Sequence, residues 1–281
     1  MGSAKEQIAI RDIDRIADVQ AVEELQKEIW GIPDIEVVPL TQLIAARASG
    51  GVLVGAFDGE SPVGFAYGFV GFERGVTVHH SHMLAVRPEY RSHDIGLRLK
   101  VEQRARVLEQ GIKVMTWTFD PLQSLNAYFN INKLGAVSDR YLVNFYGESA
   151  ASFLHRTGTD RFWVSWLLDS RRVSERLQKD AKLEDEPPGL PRVIELDERN
   201  RPILTELKGV SSETISVEIP ADINALEKHD SVLAAEWREV TRRMFTEAVG
   251  AGFIVKEFYR GIRNGQQFGS YVLTRDQIEF K

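Results

Sequence analysis

The 281-residue sequence contains no cysteine. That excludes a disulfide scaffold, a thiolate nucleophile, an iron–sulfur site and any cysteine-based zinc site. It also lacks a long hydrophobic run: none approaches the ~18 apolar residues of a membrane span. The first twenty residues hold no apolar core for a signal peptide. These absences lead to the expectation of a cytoplasmic protein with no membrane partner. Positive charge is in deficit as well, with 35 Lys and Arg against 41 Asp and Glu and a net charge of −6. Nucleic-acid binding needs a basic face that displaces phosphate counterions, so no nucleic-acid partner is expected. Internal repeats and low-complexity tracts are missing too.

What remains is ordinary globular material: 43% hydrophobic and 27% charged residues, in a chain long enough for one large domain or two modest ones. The clearest seam is Lys182 to Pro191, where a charged stretch runs into three prolines and a glycine. Proline disfavours helix in the residue before it, so the segment reads as a linker. The expected domains are therefore residues 1–186 and a smaller α+β domain over residues 187–281.

Before the seam, helices and strands alternate. The spacing predicts helices over Asp14–Trp30, Leu40–Ala48, Asp94–Gln110 and Ser124–Leu134. It predicts strands over Val52–Phe57, Pro62–Val70, Thr77–Val86, Val114–Phe119, Tyr141–Tyr146 and Phe162–Leu168. In the third helix Leu97, Val101, Ala105 and Leu108 form the expected inward stripe. After the seam come strands at Arg192–Leu196, Ile203–Leu207 and Thr214–Ile219. One long helix within Asp222–Val249 follows, then strands at Phe253–Tyr259 and Phe268–Thr274. Leu233, Trp237, Val240, Met244 and Ala248 make that helix's apolar stripe. Its Glu236, Arg238, Glu239, Arg242 and Arg243 read as a solvated face. The fold class is α/β, with a mixed sheet.

The informative stretch is Ser-His-Met-Leu-Ala-Val-Arg-Pro-Glu-Tyr-Arg-Ser-His-Asp-Ile-Gly-Leu-Arg-Leu-Lys, residues 81–100. A strand ends in Val-x-Pro, a short loop carries Arg91, and a long helix opens at Ile95-Gly96. The first amides of a helix have no internal partners and carry partial positive charge. With a glycine allowing close approach, such a turn suits a diphosphate. Arg91 and Arg98 can add contacts.

The element order and the pattern Leu-x-Val-x-Pro-x-x-Arg-x-x-x-x-Gly resemble the GNAT superfamily of acyl-CoA-dependent N-acyltransferases, over roughly residues 8–168. Ser-His-Met-Leu-Ala-Val and Thr-Trp-Thr-Phe-Asp-Pro-Leu are similar to a bacterial branch of predicted acetyltransferases. The resemblance implies that Leu84, Ala85 and Val86 pair through their backbone with the pantetheine arm. It assigns Arg91, Ser92, His93, Asp94, Ile95 and Gly96 to the pyrophosphate loop, with Asp94 standing where the family has a glycine. It also assigns Asn126 and Lys133 to a second cofactor segment, in which Ile131 occupies the place of a frequent tyrosine acid. Tyr128, one turn earlier, is the nearby hydroxyl or a core residue.

Three of the six histidines lie at His79, His80 and His82. Alternation along a strand points His80 and His82 to one face. Acyl transfer to an amine needs a deprotonated ammonium, and imidazole titrates in the right range. A similar His-x-His placement occurs in arylalkylamine N-acetyltransferases, which implies His82 as base with His80 behind it. Two satisfied polar residues on a strand is the other reading, and a zinc site the weakest; no metal is expected. The function implied is transfer of an acetyl or succinyl group from acetyl-CoA or another acyl-CoA to a small primary amine such as an amino acid. The rivals are a non-catalytic acyl-CoA sensor and a protein N-acetyltransferase. The C-terminal half is expected to shape the acceptor pocket or a homodimer interface.

Overall fold

The computed structural model describes residues 8–147, 158–178, 186–208 and 211–280. The chain is mixed α/β and divides into two compact units, one built mainly from residues up to Trp117 and the other mainly from Thr118 to Glu279.

The first unit opens with β1 (Ala9–Asp12), α1 (Ile16–Trp30) and α2 (Leu40–Ala48). The hairpin β2 (Val52–Asp58) and β3 (Ser61–Glu73) follows, then β4 (Val76–Val86), a 3₁₀ turn over Pro88–His93 and α3 (Ile95–Glu109). The dividing line falls inside β5 (Val114–Phe119). Strands β1 to β4 are antiparallel neighbours in sequence order, and β5 joins β4 in parallel. Val19, Val22 and Leu25 of α1 and Leu43 of α2 pack with Leu53, Phe57, Phe65 and Met83 of the sheet. Between the two helices, Gln26 bonds both backbone groups of Val38, with Nε2 donating to its carbonyl at 3.1 Å and Oε1 accepting from its amide at 2.8 Å. β1 had no counterpart among the expected elements; four residues are too few for a periodicity.

The stripe expected on α3 is not the buried one. Ile95, Leu99, Lys100, Gln103 and Val107 face inward. Leu97 and Val101 instead line a surface groove with Ile10, Arg98 and Glu102. The helix is turned because Lys100 and Gln103 find polar partners on β4, which offsets part of the cost of burying them.

The second unit starts with α4 (Ser124–Ala127), which runs into a π-helical turn over Tyr128–Lys133, and β6 (Val137–Leu142). β7 (Arg161–Leu167), α5 (Arg171–Gln178), β8 (Arg192–Leu196), β9 (Pro202–Leu204) and β10 (Thr214–Pro220) come next. α6 (Ile223–His229), α7 (Ser231–Gly250), β11 (Phe253–Arg263) and β12 (Gln266–Arg275) complete it. Its ladder runs β7–β6–β11–β12–β10–β8–β9. Because β6 bonds both β7 and β11, residues 118–178 pack with the C-terminal elements. The two compact units divide at Trp117. Residues 182–185 of the expected linker lie outside the described residues.

Three boundaries also differ. β6 begins at Val137, and residues 143–146 form a turn with Asn144 at φ 46°. β9 stops at Leu204. The single long helix is two, broken at Asp230, whose carboxylate caps the second by accepting from the Leu233 amide at 2.9 Å; Asp is a strong N-cap and interrupts an otherwise helical pattern. On α7, Trp237, Met244 and Ala248 are buried as expected, but so is Arg238.

Candidate active site

β4 changes partners at its middle. Its parallel ladder with β5 comprises only His79 opposite Met115 and His80 opposite Thr116. On its other side β4 pairs with β3 throughout, but the register shifts between Tyr67–Met83 and Phe69–His80. Gly68 alone therefore faces both Ser81 and His82, which is a β-bulge. A Cβ at Gly68 would lie 2.3 Å from His79 Nε2 and 2.6 Å from the His80 carbonyl oxygen. Only glycine fits there. From Ser81 to Val86 the strand keeps β3 on one edge and has no ladder partner in β5 on the other.

The two faces of β4 carry different chemistry. His79 and Ser81 are buried toward α3, where Lys100 Nζ donates to Ser81 Oγ at 2.8 Å and Ser81 Oγ donates to Gln103 Oε1 at 2.8 Å. Gln103 Nε2 lies 3.4 Å from His79 Nε2. An amide nitrogen can only donate, so in this arrangement His79 Nε2 accepts. Lys100 also stands 3.7 Å from Met115 Sδ and 3.7 Å from the Trp117 ring centroid. Burial pushes the Lys100 ammonium well below the ordinary lysine value. Burial, with Lys100 and His80 as cationic neighbours, pushes His79 down to about 3.

His80 and His82 occupy the opposite face, as alternation predicts, with ring centroids 6.3 Å apart. Phe69 lies 5.4 Å from His80 and 5.9 Å from His82, and Tyr67 stands edge-on to His82 at 6.2 Å. His80 Nδ1 is 3.1 Å from Thr116 Oγ1. His82 reaches solvent yet is crowded by these rings, and the desolvation lowers its pKa below the ordinary histidine value. A neutral imidazole at pH 7 is a competent proton acceptor.

The loop after β4 is braced on several sides. Tyr90 donates to Asp58 Oδ2 at 2.7 Å, Arg87 pairs with Glu28 at 2.8 Å, and Arg91 Nε donates to the Val86 carbonyl at 3.0 Å. Ser92 and His93 end the 3₁₀ turn. Asp94 takes a left-handed conformation, φ 51° and ψ 20°, which explains why glycine suits this position. A carboxylate there reads as a side-chain cap, but Asp94 makes none; its side chain is exposed and its carbonyl accepts from the Arg98 amide at 2.9 Å. A left-handed residue aims its side chain away from the first helical turn, so the amides of Ile95, Gly96 and Leu97 are not taken by it. Arg98 reaches back to the Ile8 carbonyl and not toward the loop.

The remaining expected residues belong to the second unit. Asn126 is exposed on α4, and Tyr128 and Lys133 are half-buried at the two ends of the π turn. Ile131 is wholly buried, so the place of the expected tyrosine acid is core. The turn's π character comes from the Leu134 amide bonding the Phe129 carbonyl at 3.0 Å. The same unit buries charges that the sequence reading left in solvent. Arg238 pairs with Asp120 at 2.8 Å; Arg242 pairs with Asp160 at 2.9 Å, and Tyr141 donates to that carboxylate at 2.7 Å. The sequence reading also missed Lys100 and Gln103. Their spacing from Ile95, Leu99 and Val107 is the signal the sequence offers.

The depressed His79 pKa makes stability pH-dependent with a definite sign. The unfolded imidazole takes a proton below about 6.5, whereas the folded one does so only near 3. This contribution is present above pH 6.5 and is lost as pH falls toward 3. Replacing His79 by Leu should therefore flatten the decline of the urea midpoint between pH 7 and pH 4. An equally steep decline in a folded His79→Leu variant would show that His79 carries no such penalty.

Among comparisons with known proteins, no curated protein matches the sequence. Solved structures similar to the chain include aminoglycoside 6'-acetyltransferase type Ii, with 20% identity, a TM-score of 0.47, and coverage of 58% of this chain and 99% of that one. They include the NatC complex bound to Gag peptide and coenzyme A, at 14%, 0.47, 57% and 98%. They include the PaiA N-acetyltransferase of Thermoplasma acidophilum with coenzyme A, at 18%, 0.41, 57% and 98%. Residues 19–131 match the model of the Acetyltransferase (GNAT) family, a span that contains β4, its loop and α3. Over residues 19–131 the chain is therefore similar to the Acetyltransferase (GNAT) family.

Proposed function

We propose that the protein transfers an acetyl or succinyl group from acyl-CoA to a small primary amine such as an amino acid, in the cytoplasm, with His82 accepting the ammonium proton. The observation that carries this reading is the conjunction on one strand of an edge with no ladder partner in β5, Ser81 to Val86, and an imidazole that desolvation holds below its ordinary pKa. The open edge leads directly into a helix start whose amides are not capped by Asp94. These features suit the coenzyme: the backbone of Leu84, Ala85 and Val86 would hold the pantetheine amides. The amides of Ile95 and Gly96, with Arg91, Ser92 and His93 around them, would hold the pyrophosphate. Asn126 and Lys133 are the further cofactor contacts in this reading. The bound coenzyme supplies an activated acyl thioester.

His82 holds the proton that an incoming ammonium must lose, and His80, bonded to Thr116, passes it on. Backbone donors along β4 would polarise the acyl carbonyl. Because Ile131 is buried, Tyr128 is the hydroxyl this reading assigns to return a proton to the leaving thiolate. Thiol release from acetyl-CoA and succinyl-CoA against an amino-acid panel tests the assignment. His82→Ala should lower kcat by about 10²-fold, with KM for acyl-CoA little changed. The acid limb of its rate profile should vanish as well. Undiminished turnover in the variant removes His82 from the mechanism, and thiol release only with added protein points to a protein acceptor.

Asp94 places a carboxylate beside the proposed pyrophosphate position, where two unit charges ~4 Å apart cost about 1 kcal/mol in water. Its left-handed backbone means that glycine there relieves strain instead of removing a cap. Asp94→Gly should thus bind coenzyme A several-fold more tightly by calorimetry, at no cost in thermal stability. Weaker binding in the folded variant would mean that the carboxylate helps the loop.

A further inference from the structure

The ladder between β4 and β5 ends after His80, and β4 carries one extra residue against β3 at Ser81–His82. A strand that loses one neighbour and bulges against the other has little in its own backbone to fix how its next residues are rotated. Side chains must do so. At this point Ser81 Oγ is held from behind by two residues one turn apart on α3, accepting from Lys100 Nζ and donating to Gln103 Oε1, each at 2.8 Å. Gln103 continues to His79, and Lys100 is wedged between Met115 and Trp117 of β5. Lys100 is 2% exposed and Gln103 is fully buried, so neither is placed to touch a substrate.

We propose that Lys100 and Gln103 are positioning residues that clamp the β4 bulge at Ser81 and thereby set the placement of His80 and His82 on the opposite face of the strand. In the arrangement present, lysine donates to the hydroxyl, the hydroxyl donates to the Gln103 carbonyl oxygen, and the amide nitrogen faces the imidazole. This arrangement leaves Ser81 a single rotamer, and with it a single rotation of the peptide leading into His82. An all-apolar interface between α3 and β4 would pack as well but would not select that rotation. Keeping a lysine and a glutamine inside costs desolvation that hydrocarbon would avoid, which is the mark of a role other than stability. The catalytic consequence of the clamp rests on His82 acting as the base; the placement of the rings does not.

The test uses the full-length chain and reads the rings directly. Proton–nitrogen spectra of the histidine side chains give the tautomer and titration of His79, His80 and His82. The titratable groups beside His82 are Tyr67 of β3 and His80 of β4. Lys100→Met keeps the volume and deletes Nζ; Gln103→Met is the second variant, should the first fail to fold. In a folded variant the His80 and His82 ring signals should shift or split and the His82 titration midpoint should move. At the same time kcat should fall about 10-fold or more, the size expected for misplacement, while KM for acyl-CoA stays within about two-fold. Folded variants with unchanged ring signals and unchanged kcat overturn the clamp, whatever happens to the melting temperature. If the wild-type chain transfers no acyl group, the proposed function fails, yet the ring spectra still decide whether Lys100 and Gln103 place the histidines.

Discussion

The first unit depends on an interrupted ladder. β4 is bonded to β5 at His79 and His80 and then no further. Backbone groups of a strand interior seek partners, and an edge left open costs free energy or invites another chain. Here the open edge belongs to the stretch that leads into the braced loop and α3. The structure spends considerable material on keeping it in place. Gly68 makes room for the bulge, Tyr90, Arg87 and Arg91 tie the loop to three different elements, and the Lys100–Ser81–Gln103 contacts fix the strand from behind. An edge of this kind suits an extended ligand carrying amides.

Electrostatics divides β4 by face. Behind the strand, desolvation holds both Lys100 and His79 below their ordinary pKa values, so two basic groups share a dry space without two charges. In front, His82 meets solvent among aromatic rings and is depressed by desolvation alone. One strand thus carries a buried imidazole and a solvent-reaching one on opposite faces. The second unit solves its charges differently: Asp160 is satisfied by Arg242, Tyr141 and the Asn144 amide, and its carboxyl lies below the usual value despite burial. Breaking one member of such a set would leave a buried charge uncompensated.

Much of this was legible in the residues. Asp58-Gly59 between two apolar runs gave the β2–β3 hairpin, and Val-x-Pro before Ile-Gly gave the strand–loop–helix. His80 and His82 fell on one face because alternation holds from His79 to His82. The expected stripe on α3 was built from apolar residues alone, and Arg238 was read as solvated. Lys100, Gln103 and Arg238 are all buried, each with a partner far away in sequence, and no local pattern announces a partner. The stripe on α3 was misplaced for that reason. Asp94 failed otherwise, because a residue type favoured at N-caps gave no hint of a left-handed backbone. The division at Trp117 follows long-range pairing such as that of β6 with β11, which composition does not encode.

Backbone hydrogen exchange with and without coenzyme A tests most directly whether the open edge of β4 is a cofactor surface. Added coenzyme A should slow exchange in residues 81–86 and at the start of α3, leaving the β2–β3 ladder unchanged. Saturating coenzyme A with no added protection in those segments, or protection confined to other strands, would contradict it.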